Sequence, residues 1–316
     1  MQKKFANIDV KTMLAALIAV LLCAVPLRTV QLFTNIEPHT GFFEAIDWTV
    51  FTVYGVLLFG AVLLLVLPML SARLPASRPV IRQSYALTVG GLFFAVGIAY
   101  DVILAVTKIA AAFSEGFGRQ NIFEILFTDG LFALFLQTVC GAAACVYFVL
   151  LAISYLKGNS VFCQYKLLAI MPLFWTLFRL VSRFMTKISF TLLSELLIEL
   201  AMLSFTALFM MSFARVSAVV NQKGEMKKCI RYGLPAAFLA LTVGCTRLIC
   251  TLGGKAEVLP DGFAFSLADI GFGVFAVLYI FVYMQYGRPA SEDEQIPADA
   301  AKAETADGES DGKAED

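Results

Sequence analysis

Long apolar runs separated by short polar stretches dominate the pattern of this sequence. Each run is about 20 residues long, which is the length an α-helix needs to cross roughly 30 Å of hydrocarbon. We therefore predict an all-α integral membrane protein, a bundle of about eight transmembrane helices arranged as four antiparallel hairpins. The predicted spans are about 13–33, 48–70, 84–107, 130–155, 167–186, 190–213, 232–252 and 264–286.

The basic residues between these spans predict how the chain is oriented. Connections after the odd spans contain few lysines and arginines, whereas those after spans two, four and six contain many. Basic connections remain on the cytoplasmic side of a membrane, so both termini are expected there. The first run is too long for the apolar region of an ordinary signal peptide, and no small-residue cleavage site follows it. We interpret it as an uncleaved first span.

Composition supports the membrane class and divides the chain in two. Hydrophobic residues make up 59% of the sequence and charged residues 15%, against about 45–50% and about 25% in soluble domains. Residues 1–287 form the predicted polytopic membrane domain. Residues 288–316 are acidic and nearly free of large apolar side chains, which predicts a disordered acidic cytoplasmic tail. The net charge is zero, and no basic patch indicates nucleic acid as a partner.

Motifs for catalysis, metals and cofactors are missing from the sequence. The seven cysteines form no CxxC pair, and His39 is the single histidine, so we expect neither a metal nor a cofactor. There is no P-loop, HExxH or GxSxG motif. The sequence therefore predicts a protein that is not an enzyme, and an ATP-driven pump or a membrane zinc protease is disfavoured.

Ionisable residues within the apolar spans are the strongest functional signal. Such groups are costly in a membrane and usually face a partner or a cavity. They recur roughly every 70–80 residues, with one charge late in each odd span and an acid early in each even span. This is the pattern of an internal duplication, although apolar helices resemble each other without one. The candidate polar-cavity or ion-pair cluster comprises Arg28, Asp47, Asp101, Asp129, Arg179, Arg183, Glu195, Glu199, Arg247 and Asp269.

Spacing along the chain predicts which of these residues pair. Residues equidistant from the turn of an antiparallel hairpin lie at the same height, so three hairpins place an arginine opposite a carboxylate. In the second hairpin, Asp101 faces Asp129 with no arginine, which makes Asp101 either a member of a neighbouring network or a protonatable or cation-binding group. The predicted pairs are Arg28–Asp47, Arg179–Glu199, Arg183–Glu195 and Arg247–Asp269.

The sequence is compatible with three functions. The first is a secondary transporter or permease for a small polar or charged solute or ion. The second is a membrane scaffold or assembly partner in which the buried charges are structural ion pairs. The third, an intramembrane enzyme, lacks a convincing nucleophile and base. Trp175 lies one turn before Arg179 and either stacks on its guanidinium or packs ordinarily.

The expected surroundings follow from the membrane class. The partner of the chain is the lipid bilayer, and a protein partner or a second copy of the chain remains open. We expect a multi-pass protein of a plasma membrane, of bacterial origin.

Overall fold

The computed structural model describes eight stretches of the chain, and every regular element within them is helical. Eight segments of the described residues are long and apolar enough to cross a membrane, and one of them, Lys166–Met185, consists of a one-turn helix followed by a 15-residue helix. The long helices are α1 (Val10–Thr34), α2 (Trp48–Leu70), α3 (Tyr85–Gly116), α4 (Leu131–Lys157), α5 (Met171–Met185), α6 (Leu193–Ser217), α7 (Glu225–Leu252) and α8 (Leu267–Tyr286). A 3-10 turn, Val161–Cys163, and a one-turn helix, Lys166–Ala169, precede α5. The described residues are 10–36, 48–71, 82–116, 131–185, 193–219, 224–254, 259 and 264–286.

The eight predicted spans correspond to the eight helices, and the differences lie at their ends. Helix α2 has the predicted bounds, whereas α3 continues to Gly116 and α7 begins at Glu225 rather than at residue 232. The first turn of α7 is charged, so hydropathy alone does not detect it. Within that turn Lys228 donates to Glu225 at 2.9 Å, a helical i,i+3 pair that supports the backbone. The predicted tail, Asp47 and Asp129 lie outside the described residues.

Helix α7 lies at the centre of the bundle. In its most apolar window 78% of residues are buried, against 22% in α1. It packs on α1, α2, α6 and α8, while α3 packs on α4 and α8, and α4 also packs on α5. Interior aromatic rings join α3, α4, α6 and α8 in edge-to-face and stacked contacts. Examples are Phe94 with Phe148 at 4.6 Å and Phe213 with Tyr279 at 5.1 Å between centroids.

The tightest contact between α3 and α8 involves a glycine. A Cβ added to Gly97 would lie 2.8 Å from the Cα atom of Ala268 and 2.9 Å from the carbonyl oxygen of Leu267. These are backbone atoms, which cannot rotate away, so only glycine allows this approach. Asp101 follows Gly97 by one helical turn. The close contact therefore places Asp101 beside the first residues of α8.

A buried charge cluster and an adjoining polar cavity

Seven ionisable side chains from five helices meet inside the bundle. Two helices contribute two residues each at i,i+4 spacing, which places both on one helical face. Six of the seven are less than 10% exposed, and the side chain of Arg183 is 17% exposed. We call this set the charge cluster: Arg28 on α1, Arg179 and Arg183 on α5, Glu195 and Glu199 on α6, Arg247 on α7 and Asp269 on α8.

Glu199 lies at the centre of the charge cluster, where its side chain is fully buried. Its Oε1 atom accepts a hydrogen bond from Nε of Arg183 at 2.8 Å, and its Oε2 atom accepts one from Nη2 of Arg247 at 2.9 Å. Nη2 of Arg179 lies 3.7 Å from Oε1. One carboxylate thus binds guanidinium groups from two different helices and stabilises both against the low dielectric around them.

Arg179 also makes a bidentate pair with Asp269 of α8. Its Nη1 and Nη2 atoms donate to the two carboxylate oxygens at 2.6 Å and 3.0 Å. This parallel arrangement is the strongest geometry for an arginine and a carboxylate. On the other side, the guanidinium carbon of Arg179 lies 5.7 Å from the ring centroid of Trp175, within the range of a cation–π contact. Arg179 therefore links α5 to α8 and to α6.

Arg28 extends the charge cluster to α1. It pairs with Glu195 and donates a hydrogen bond to Gln31 on its own helix. Arg247 lies 3.8 Å from the same glutamate. Sequence reasoning missed Gln31, a buried amide three residues after Arg28, because an uncharged side chain stands out less in an apolar run than a charged one. Its i,i+3 position on the arginine's face was the available signal.

The structure corrects the predicted pairs Arg183–Glu195 and Arg247–Asp269, whereas Arg28–Asp47 stays a prediction because Asp47 lies outside the described residues. Three close pairs join different predicted hairpins: Arg28 with Glu195, Arg179 with Asp269, and Arg247 with Glu199. Within the predicted third hairpin the contact at 2.8 Å is Arg183–Glu199, and the predicted Arg179–Glu199 pair is present at a longer distance, 3.7 Å. Spacing from a turn gives only the height of a residue. The direction in which a helix presents it is set by packing.

A polar cavity of about 130 Å³ adjoins the charge cluster. Helices α3, α4 and α5 form its walls, together with residues 264–266, which precede α8 and are not helical. Asp101, Leu104, Ala105 and Lys108 line it from a single face of α3, at i, i+3, i+4 and i+7. The polar side chains on the wall are Asp101, Lys108, Gln137, Arg179, Ser182, Arg183 and Ser266.

Asp101 differs from the acids of the charge cluster in its partners. Its two carboxylate oxygens lie 2.9 Å and 3.1 Å from the hydroxyl of Ser266, which can donate to one of them at a time. Among the residues that the structure describes, no lysine or arginine nitrogen lies within 4 Å of this carboxylate. Arg179, Arg183 and Asp269 are close enough to act on it electrostatically. Asp101 is thus a carboxylate on a cavity wall without a direct ion pair.

Neutral polar residues of the wall were also missed by the sequence reasoning. The hydroxyl of Ser182 lies 3.1 Å from Oε1 of Gln137, which connects α5 to α4 beside the cavity. Serine and glutamine are tolerated in many membrane helices, so neither gives a signal alone. Lys108 lies just beyond the predicted third span, 84–107, so hydropathy did not place it on a helix. Its position seven residues after Asp101, on the same helical face, was the signal that could have identified it as a neighbour of Asp101.

The charges of the charge cluster and Asp101 balance, and the exposed Lys108 on the cavity wall adds one positive charge. Four arginines and three carboxylates leave the charge cluster with one positive charge, and an ionised Asp101 neutralises it. The arrangement holds its charges in pairs in the interior and presents one carboxylate to a small polar space. Comparisons with known protein families, with curated proteins and with solved structures gave no match. The function therefore has to be inferred from this geometry.

Proposed function

We propose that the chain is a multi-pass membrane protein whose eight helices form four antiparallel hairpins with both termini in the cytoplasm. Eight helices of sufficient length and hydropathy support this arrangement. Large apolar side chains that are more than half exposed, such as Leu22, Leu58 and Phe59, suit a lipid environment. Contacts between the end of α5 and the start of α6, including Arg183 with Glu199, fit a hairpin. The basic connections after even spans support the orientation.

We further propose that the protein is a permease for a small polar or charged solute, which binds in the cavity beside Asp101. The single observation behind this proposal is the polar cavity itself. Apolar bundles have no structural need for a polar space, and membrane transporters commonly bind solutes where a helix gives way to irregular backbone. Residues 264–266 provide such backbone, and Ser266 extends it to the carboxylate.

The charge cluster supports the cavity and has a structural role in this proposal. Its acids and arginines contact each other directly and join α1, α5, α6, α7 and α8. Such contacts stabilise the arrangement of helices in a membrane. The alternative function, a membrane scaffold with structural ion pairs, accounts for the charge cluster but gives no role to the cavity. It predicts that the purified protein binds no small solute there.

A cavity-filling variant tests the proposal while leaving every charge in place. Ala105 lines the cavity and is buried, so Ala105→Leu should occupy part of the space a solute needs. Ala142→Leu, on the exposed face of α4, is the matched control. Purified protein is heated with a panel of small ions and polar solutes, and the midpoint of unfolding is measured.

A solute that fits the cavity should raise the midpoint for the natural chain and for Ala142→Leu, but not for Ala105→Leu. The same solute should then enter proteoliposomes that contain the natural chain faster than those that contain Ala105→Leu. A panel without any stabilising solute, or equal stabilisation of all three proteins, would refute binding in the cavity and favour the scaffold.

A further inference from the structure

We propose that the cavity binds a small anion together with one proton, and that Asp101 holds this proton. The inference rests on the proposed function and names the class of its solute. The charges on the cavity wall support it. Three cationic side chains, Lys108, Arg179 and Arg183, line a space that contains a single carboxylate.

The positions of these charges explain why an anion and a proton belong together. Glu199 and Asp269 contact the two arginines from within the charge cluster and do not line the cavity. With Asp101 ionised, its negative charge opposes the entry of an anion. With Asp101 protonated, the charge cluster carries one positive charge, which an entering monovalent anion neutralises, while solvent screens the charge of the exposed Lys108. The two ligands therefore arrive without leaving a net charge in a medium of low dielectric.

Each described element packed around Asp101 contributes a known group to the cavity wall or lies directly behind it. Helix α3 provides Lys108, α5 provides Arg179 and Arg183, α4 provides the neutral Gln137, and the segment leading into α8 provides Ser266, with Asp269 behind it. Lysine and arginine keep their protons below about pH 9. The chain has one histidine, His39, which lies outside the described residues. Within the described wall, Asp101 is the one side chain that can take up a proton when an anion arrives.

Size limits the anion. A volume of about 130 Å³ is close to that of an engineered protein cavity of about 150 Å³ that holds benzene. Nitrate or a short carboxylate fits within this space, whereas a six-carbon sugar acid would extend beyond it. Lys108 is exposed and lies two turns from Asp101, about 10 Å along α3. Its exposure places Lys108 at the solvent side of the cavity, about two helical turns from the proton-binding carboxylate of Asp101.

The coupling between anion binding and proton binding gives the expected pH dependence of the affinity for the anion. If the anion binds the form with protonated Asp101, its affinity follows the population of that form. Wherever Asp101 is ionised in the empty protein, each unit rise in pH lowers that population about tenfold. The affinity for the anion should therefore fall about tenfold per pH unit, and each bound anion should bring about one proton with it.

Nitrate is the probe for the experiment, because it is small and does not titrate near neutral pH. Binding to the purified full chain is measured by calorimetry between about pH 6 and about pH 8. Gluconate at equal ionic strength is the control for size and screening. Proton uptake on nitrate addition is followed in weakly buffered solution.

We expect tenfold weaker nitrate binding per pH unit and about one proton taken up per nitrate. Asp101→Asn keeps the size of the side chain and its acceptor for Ser266, and should bind nitrate with the same affinity at every pH and no proton uptake. Lys108→Gln should weaken binding severalfold and keep the pH dependence. Lys157→Gln, an exposed change at the end of α4, should behave as the natural chain.

Two outcomes overturn the inference and separate it from the proposed function. If sodium or potassium stabilises the protein through Asp101 while nitrate does not, or if nitrate binds without any pH dependence, proton-linked anion binding is wrong and a solute site remains. The proposed cavity function fails as well if no anion or cation binds, or if Asp101→Asn and Lys108→Gln both leave the binding unchanged.

Discussion

Glu199→Gln is the substitution that should most directly reveal how strongly the charge cluster holds the helices together. Glutamine has nearly the same shape as glutamate and keeps an acceptor oxygen, so the variant removes a charge and little else. Glu199 is fully buried and contacts Arg183 at 2.8 Å and Arg247 at 2.9 Å. After the substitution, the partly buried guanidinium of Arg183 and the buried one of Arg247 lose the counter-ion that they share, and Arg247 keeps Glu195 at 3.8 Å.

The expected loss follows from these distances. A unit-charge pair 2.9 Å apart interacts by about 6 kcal/mol at an effective dielectric constant of about 20. Desolvation of the ions in the folded protein offsets part of this attraction. Removal of one partner from a buried pair typically costs about 3–5 kcal/mol, because the remaining charge stays buried without compensation. We expect Glu199→Gln to lower the free energy of unfolding by that amount.

Glu225→Gln is the matched control. Glu225 is also a buried glutamate on a helix, with Arg215 at 3.1 Å and Lys228 at 2.9 Å. Its partners, however, have side chains that are 40% and 50% exposed, so solvent screens them after the charge is removed. Exposed pairs contribute at most about 1 kcal/mol. The same chemical change should therefore have a several-fold smaller effect at Glu225.

The free energies of unfolding are measured by titrating each purified variant with sodium dodecyl sulfate in mixed micelles. Circular dichroism at the start of each titration checks that the helix content is unchanged. Equal losses for the two variants, or a loss below about 1 kcal/mol for Glu199→Gln, would refute the view that burial of the partners determines the strength of these pairs.

The remaining predictions concern the pair between α5 and α8 and the contact between α3 and α8. A double-mutant cycle with Arg179→Gln and Asp269→Asn should give a coupling energy of about 2–3 kcal/mol by the same titration, and additive losses would contradict the bidentate contact. Gly97→Ala should lower stability by about 1–3 kcal/mol because its Cβ would meet the backbone of α8. Gly55→Ala, where a Cβ meets nothing within 4 Å, should raise stability by up to about 1 kcal/mol, and equal effects of the two glycine variants would contradict the packing. Ser266→Ala removes the hydroxyl bonded to the cavity carboxylate and should lower stability by about 1–3 kcal/mol, whereas an unchanged free energy of unfolding would contradict that bond.

The sequence predicted the eight helices because hydropathy depends on length and composition alone. The predicted helix ends were least accurate where helices continue through charged residues, as at Glu225. A hydropathy average over a window of residues shows neither the pairing of Glu225 with Lys228 nor the burial of Glu225. The sequence also indicated that ionisable residues in the spans would gather, because an isolated charge in a membrane is costly. Seven of the ten candidate residues meet in the charge cluster, and Asp101 adjoins it.

The sequence could not predict which of these residues contact each other. Distance from a turn fixes height along a helix, but each residue also advances by about 100° around the axis, and the neighbours of a helix depend on the whole bundle. Arg179 therefore reaches Asp269 on α8 as well as Glu199 on the next helix. The cavity could not be predicted for a related reason. Gln137, Ser182 and Ser266 lie on three separate segments, and they form a polar wall only where those segments pack together.

The glycine contact between α3 and α8 has a mechanical consequence for the cavity. Side chains can change rotamer to let two helices slide, but at Gly97 the backbone of α3 lies against the backbone of α8 at Ala268. Asp101 and Ser266 are attached to these two helices within a turn of that contact, so their separation should stay constant. One wall of the cavity is therefore a rigid body. Any change in the width of the cavity must come from displacement of α4 and α5 on the opposite side.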